Sequence, residues 1–398
     1  MRISTQGIQT AAVNAILRQQ ASLSLTQQQV ASGKRIQTAA DDPSSIVQLK
    51  ELARLQSQHE QFDKNSTALT GQLQLEEQGL ADSTQVLQRI RDLVLQANSS
   101  TTTVSDLQAI RTEIKSRVDE LQGIANQRDN AGDYLFAGTA AASKPFVRGA
   151  SGAMGYNGNI GVRTVRIDAG VDVPTNDAGS RVFSGITAGN GLFTTGANAA
   201  NAGSGSIDTG TILQNSTWVP GQYALTFTAP DTWQVTDAAS TVVASGSYTS
   251  GGAISFRGVQ VAVSGAPATG DSFRIATAST TDMFSQLDAI VATLGNATSG
   301  DAARAQLTTA LGGSVQQIDQ ALDHISSVRA EVGARLSLAD DLGAARQSRL
   351  QDLSTSQSQL QDLDYASAIS RMNQQMVGLQ AAQQSYSTIA KLSLFNYL

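Results

Sequence analysis

The two ends of this 398-residue chain carry almost no charge, yet both keep the seven-residue apolar rhythm of helices that pack lengthwise against one another. Between Met1 and Ala40 there is no acidic side chain, and Val13, Ile16, Leu23 and Val30 recur at three- and seven-residue steps, the spacing of a coiled-coil seam. Ile369, Met372, Met376, Leu379, Tyr386 and Ala390 repeat the pattern at the other end. Outer faces of Gln, Ser and Ala, in place of Lys and Glu, suit contact with neighbours on several sides better than contact with water. The pattern predicts two terminal helices that lie side by side, in a subunit of a polymer. So sparse a seam, with Ile3 and Ile8 added, returns little against the entropy of ordering some forty residues. Both ends are therefore expected to be disordered in the free chain and helical once other subunits surround them.

The middle of the chain is a different material. From about Ala141 to Asp282 there is no glutamate, five of the six prolines and both tryptophans fall there, and leucine is reduced to Leu192, Leu213 and Leu225. Apolar residues switch to period two, as in Tyr223-Leu225-Phe227, Trp233-Val235, Ile254-Phe256 and Val259-Val261-Val263, the alternation of half-buried strands. Ala229-Pro230-Asp231-Thr232 has turn chemistry, because proline fixes φ and aspartate can bond the backbone ahead of it. Residues 223 to 235 are thus expected to form a hairpin, and the whole segment to be antiparallel β.

The flanks of that segment read as long helices. Leu73, Leu80, Leu87 and Val94 stand seven apart, as do Leu107, Ile114 and Leu121, and again Leu311, Ile318, Ile325 and Val332, which favours lengthwise bundle packing. Ser32-Gly33-Lys34-Arg35 should end the first helix, with Gly33 in the left-handed C-cap and cations at the negative helix end. Asp42-Pro43 should start the next, with Asp42 as N-cap and Pro43 at the first helical position. Ser105 to Gln108 reads as a second capping box, making the segments near 44–98 and 105–136 antiparallel neighbours. The expected fold is mainly α with a β-rich insertion: a long coiled-coil-like helical bundle formed by both chain ends, plus a central antiparallel β domain. Residues 1–42 and 356–398 would be the terminal helices, 43–140 and 283–355 the bundle, and 141–282 the β-rich outer domain.

Catalytic constellations find little support. His59 and His324 fall in separate helices without a second histidine to share a metal, and both are expected at the surface. The adjacent acids Asp41-Asp42, Glu76-Glu77 and Asp340-Asp341 point in different directions on a helix, so capping and solvation account for them. Gly149 to Gly161 has neither the Lys-Ser ending nor the following helix of a phosphate loop. A net charge of −6 argues against a nucleic-acid surface, and the absence of cysteine excludes disulfides and thiolate sites. No apolar run approaches the ~20 residues that span a bilayer, and Met1-Arg2-Ile3-Ser4-Thr5 has no signal-peptide core, so no Sec-type export is expected. No cofactor or metal is expected. Trp218, Tyr223 and Trp233 could stack on sugars, although core packing is the plainer reading of the rings.

At the N-terminal end Met1-Arg2-Ile3-Ser4-Thr5, Ala31-Ser32-Gly33-Lys34-Arg35-Ile36 and Ala40-Asp41-Asp42-Pro43 resemble stretches of the bacterial flagellin family and its hook-associated members. Asp133-Tyr134-Leu135-Phe136-Ala137-Gly138-Thr139 is similar to the motif ending the first helical half of the hook–filament junction members. Leu363-Asp364-Tyr365-Ala366 and the ending Leu392-Ser393-Leu394-Phe395 match their C-terminal half. Ser326 to Ala334 looks like the descending helix of flagellins, and Val263 to Phe273 resembles a β module of hook-associated proteins. The resemblance implies a structural subunit without enzyme activity, in a ring of copies that connects hook to filament, the alternative being a filament flagellin. It also implies a hook-associated neighbour on the hook side, flagellin or another hook-associated protein on the filament side, and export through the flagellar type III channel with a cytoplasmic chaperone. The terminal helices would then line an inner tube outside the cell, in the flagellum, with no nucleic-acid or membrane partner.

Overall fold

A computed structural model describes residues 5–214 and 217–395. Seven helices are present among them: α1 (Thr5–Ser32), α2 (Pro43–Ala97), α3 (Val104–Ala125), α4 (Gly179–Phe183), α5 (Met283–Gly295), α6 (Asp301–Gln361) and α7 (Tyr365–Phe395). Between α3 and α5 lie fifteen strands among the described residues. The first eight are β1 (Phe146–Arg148), β2 (Met154–Tyr156), β3 (Thr164–Asp168), β4 (Val171–Pro174), β5 (Ile186–Thr187), β6 (Phe193–Ala197), β7 (Ser206–Ile207) and β8 (Thr211–Ile212). The remaining seven are β9 (Gln222–Ala229), β10 (Thr232–Asp237), β11 (Val242–Ser247), β12 (Ala253–Phe256), β13 (Val259–Ser264), β14 (Ser272–Thr277) and β15 (Thr280–Thr281). The chain is mainly helical with a central antiparallel β region, as its patterning predicts.

Two compact units result, one of residues 1–64 with 341–398, the other of residues 65–340. In the second unit the helical heptads face inward without exception. Leu73, Leu80, Leu87 and Val94 of α2, Leu107, Ile114 and Leu121 of α3, and Leu311, Ile318, Ile325 and Val332 of α6 are all buried, none more than 2% exposed. Arg89 of α2 bridges Glu113 of α3 at 2.7 Å, in keeping with the antiparallel pairing. Two boundaries differ from expectation. The capping box is built by Thr103 and Asp106, two residues ahead of Ser105, because the Thr103 hydroxyl accepts from the Asp106 N–H while the Asp106 carboxylate takes the Thr103 N–H. α3 also stops at Ala125 rather than near 136, where the Asn126 side chain turns to the Phe146 backbone, donating to its carbonyl and accepting from its N–H at 2.9 Å each.

The β region holds its own core. One five-stranded antiparallel sheet runs β11-β10-β9-β14-β6, and a smaller sheet runs β12-β13-β7, with β8 also pairing β13. β9 and β10 form the expected hairpin, Ala229 facing Thr232 across Pro230-Asp231. Tyr223, Leu225, Phe227, Val235, Ile254, Phe256, Val259, Val261, Val263, Phe273 and Ile275 are buried together, so the period-two residues do point to one side. Trp218 and Tyr223 belong to this core, their ring centroids 5.7 Å apart, and Trp233 packs against it with its indole N–H on the Ser247 carbonyl. Trp218 and Tyr223 spend their faces on core rings, Trp218 against Phe193 and Tyr223 against Phe256.

Candidate assembly interface

The first unit is where the terminal segments meet. α1 ends as the local chemistry dictates: Gly33 takes φ +71° and its N–H reaches the Gln29 carbonyl at 2.9 Å. Beyond it the chain pairs with the entry to α7. Lys34 and Asp362 form an antiparallel bridge, with Arg35 N–H on the Gln361 carbonyl at 2.7 Å and Leu363 N–H on the Gly33 carbonyl at 2.9 Å. Asp42 caps α2 by accepting the Ser45 N–H at 3.1 Å and the Ser45 and Ser44 hydroxyls, and Pro43 is the first helical residue. The Ser45 hydroxyl first, then the Ser44 hydroxyl and the Ser45 N–H, hold the Asp42 carboxyl well below the usual carboxylate range. Asp41 closes the preceding turn from the Thr38 and Gln37 N–H groups. Both residues of this acidic pair are thus structural.

From that turn α1 and α7 run antiparallel. Gln19 Nε2 donates to the Gln375 carbonyl at 3.1 Å, and a side chain at Gly378 would meet the same Gln19 amide at 3.1 Å. A heptad of buried and half-buried positions runs through Ala12, Ile16, Gln19, Leu23, Thr26 and Val30 on α1, and Ala368, Met372, Gln375, Leu379, Ala382 and Tyr386 on α7, with Ser22, Gln29 and Gly378 half-buried beside it. Of the residues singled out from the sequence, Ile16, Leu23, Val30, Met372, Leu379 and Tyr386 lie in this seam. Val13, Ile369 and Met376 do not, being 39%, 44% and 37% exposed. Each stands one residue from a seam position occupied by Ala12, Ala368 or Gln375, and a search for apolar side chains passes over those. The side chains of Ile3, Ile8 and Ala390, and the ends Met1–Ser4 and 396–398, lie outside the described residues.

The exposed apolar residues lie off the seam, on more than one side of the pair. Val13, Leu17, Leu25, Ile369, Met376 and Val377 together leave the α1–α7 pair with apolar side chains in water, Leu17 at 55% and Val377 at 66%. No acidic side chain lies on α1 or α7, whose only charged residues are Arg18, Arg371 and Lys391. Covering such surface is favourable at about 25 cal/mol per Å².

Elsewhere Asp340 and Asp341 are exposed as expected, and among the paired acids Glu76 departs from expectation. Glu76 is buried at 2% exposure, not solvated, and Glu77 pairs with Arg329 of α6 at 2.6 Å. His59 and His324 are both half-buried, His324 with Nε2 2.7 Å from the Arg181 carbonyl oxygen. Among the described residues no group of three or more His, Asp or Glu side chains is placed to hold a metal ion, and no helix is long and apolar enough to cross a membrane.

Comparison with known proteins agrees with this layout. The bacterial flagellin N-terminal helical region matches residues 3–141, the bacterial flagellin C-terminal helical region residues 315–398, and the D2-like domain of flagellar hook-associated protein 1 residues 196–277. Flagellar hook-associated protein 3 of Salmonella typhimurium is 30% identical over 169 residues, 42% of this chain and 52% of that protein. The chain thus spans about half the length of that curated relative. Among solved structures, FlgL of Xanthomonas campestris superposes with a TM-score of 0.72 at 33% identity, covering 77% of this chain and 99% of that one. The flagellar junction protein FlgL of Legionella pneumophila superposes with a TM-score of 0.74 at 28% identity, covering 79% and 99%. The descending helix, the β module and both terminal helices of this chain all lie inside matched regions, and it belongs to the flagellar hook-associated protein 3 (FlgL) family of flagellin-like proteins.

Proposed function

We propose that this chain is a structural subunit of the bacterial flagellum, placed at the hook–filament junction, where a ring of its copies connects hook to filament. The observation that carries this reading is the terminal helix pair: a complete internal seam, with further apolar surface left in water. One seam holds α1 to α7, and the outer surface, with Leu17 and Val377 at its most exposed points, receives neighbouring copies. Its partners are then other copies, a hook-associated protein on one side, and flagellin or another hook-associated protein on the other. Residues 1–42 and 356–398 line an inner tube, residues 43–140 and 283–355 form the bundle, and residues 141–282 the outer β domain. The subunit leaves the cell through the flagellar type III channel, kept from premature assembly by a chaperone. The role is mechanical, with no reaction to catalyse and no cofactor to hold.

A filament flagellin is the second reading, favoured by the flagellin models that match both helical ends. Seeding separates the two. Purified chain added to short filament fragments is expected to deposit a thin layer and stop, whereas long filaments grown from this chain alone would establish the second reading. Cells lacking the gene should keep intact hooks and shed soluble flagellin into the medium. Normal filaments on such cells refute the junction assignment.

A further inference from the structure

Within the second unit, helix α2, the loop after β4, helix α4 and helix α6 bring three acids and two guanidinium groups together. Asp177, 1% exposed, accepts both terminal nitrogens of Arg335 at 2.9 and 3.1 Å and one of Arg181 at 2.7 Å. Arg181 also pairs with Glu331, and Arg335 lies 3.7 Å from the same carboxylate. Asp177 and Glu331 thus already balance the two cations. Glu76 of α2 is the third acid. Its Oε1 accepts the Asp177 N–H at 3.0 Å, while its Oε2 is buried with no hydrogen-bond partner among the described residues. The neighbouring Glu77 is taken by Arg329, and the His324 ring is taken by the Arg181 carbonyl. Neither group serves Glu76. A carboxylate there would be stripped of water and set against the charge of Asp177, and burial first, Asp177 second, push the Glu76 carboxyl up to about 8.

We infer that Glu76 is a proton-operated lock: in its neutral form it lets the segment 175–183 close on α2 and α6, and on ionising it drives that segment away. Much hangs on the segment. Asn176 receives the Arg163 N–H at 2.9 Å, Gly179 N–H reaches the Phe136 carbonyl at 2.8 Å, and Phe183 packs edge-on against Phe136 and Phe146. Opening the lock therefore loosens the joint between the β3–β4 hairpin, the turns after α3 and the two long helices. The joint is stiff in acid to neutral solution and softens in alkali.

Hydrogen exchange of the full chain at pH 6 and pH 9, read on the amides of Asp177 and Gly179, tests this. Protection is taken as a ratio to the buried amides of α3, so that the intrinsic rate cancels. If opening returns the Glu76 carboxyl to its ordinary value of 4.5, the opening constant rises by about 10- to 100-fold over that interval. In Glu76→Gln, which keeps the acceptor without the titration, the ratio should be flat. A wild-type ratio that does not change with pH overturns the proposal, as does a Glu76→Gln chain that loosens like the wild type. Should Glu76→Gln fail to fold, the wild-type ratio decides alone.

Discussion

Replacing Val377 by aspartate separates the seam of the terminal helix pair from its exposed surface. Val377 is 66% exposed, so a carboxylate there stays hydrated until another copy covers it and puts no charge into the α1–α7 seam. Full burial of a valine is worth about 1.5–3 kcal/mol, and with most of its surface still in water about 1–2 kcal/mol of that remains to be gained when another copy covers it. The substitution forfeits this and adds the desolvation of an unpaired carboxylate, about another 2 kcal/mol or more. A total near 3 kcal/mol per contact corresponds to association more than about 100-fold weaker. The far-ultraviolet circular dichroism of Val377→Asp should match wild type, while sedimentation velocity and deposition on purified hooks show the loss. Leu379 lies in the seam opposite α1, so Leu379→Asp should disrupt the pair itself and assembly with it, leaving the bundle between about residues 44 and 360 folded. Wild-type assembly by Val377→Asp would show that the exposed surface there is not an interface. Global unfolding of Leu379→Asp would show that the terminal helices are integral to the bundle core.

The turn between α1 and α2 invites two further tests. Gly33→Ala places a β-carbon in left-handed backbone and 2.8 Å from the Tyr365 hydroxyl, so protection of the Leu363 and Arg35 amides should fall by about 1–2 kcal/mol, with Tyr365→Phe recovering the steric part only. Asp42→Ala should fray the first turn of α2. Because the folded carboxyl is held below its unfolded value of 3.8, its contribution is complete above that value and lost as pH falls through the folded one, so the wild type and variant should converge only in strong acid; a gap that persists there contradicts the cap. In the isolated chain, the backbone amides of α1 and α7 are expected to exchange far faster than those of α2 heptad positions such as Leu80, and equal protection refutes the view that neighbours complete the terminal helices.

What the sequence makes legible depends on how each residue earns its place. Leu73, Leu80 and Leu87 can be read in advance because a bundle core removes large aliphatic side chains from water, and the seven-residue step records that demand directly. The α1–α7 seam is only half legible. Helices that approach closely must place small or flexible side chains between them, so Ala12, Gln19, Ala368, Gln375 and Ala382 occupy seam positions that hydrophobicity does not mark. The apolar surplus at Val13, Ile369 and Met376 faces the other way. On the proposed reading, these three exposed apolar residues belong to the surface that another copy covers. Glu76 lies beyond such reading. On α2 it is one of two adjacent acids, and its burial is imposed by Asp177, 101 positions away, together with arginines from α4 and α6. The charge surrounding it is set by tertiary structure, so no local pattern distinguishes it from Glu77 next to it, which is half-buried and paired with Arg329. Periodic demands that a fold makes of many residues reach the sequence, whereas a demand made once, by side chains converging from four separate segments, becomes visible only in the folded chain.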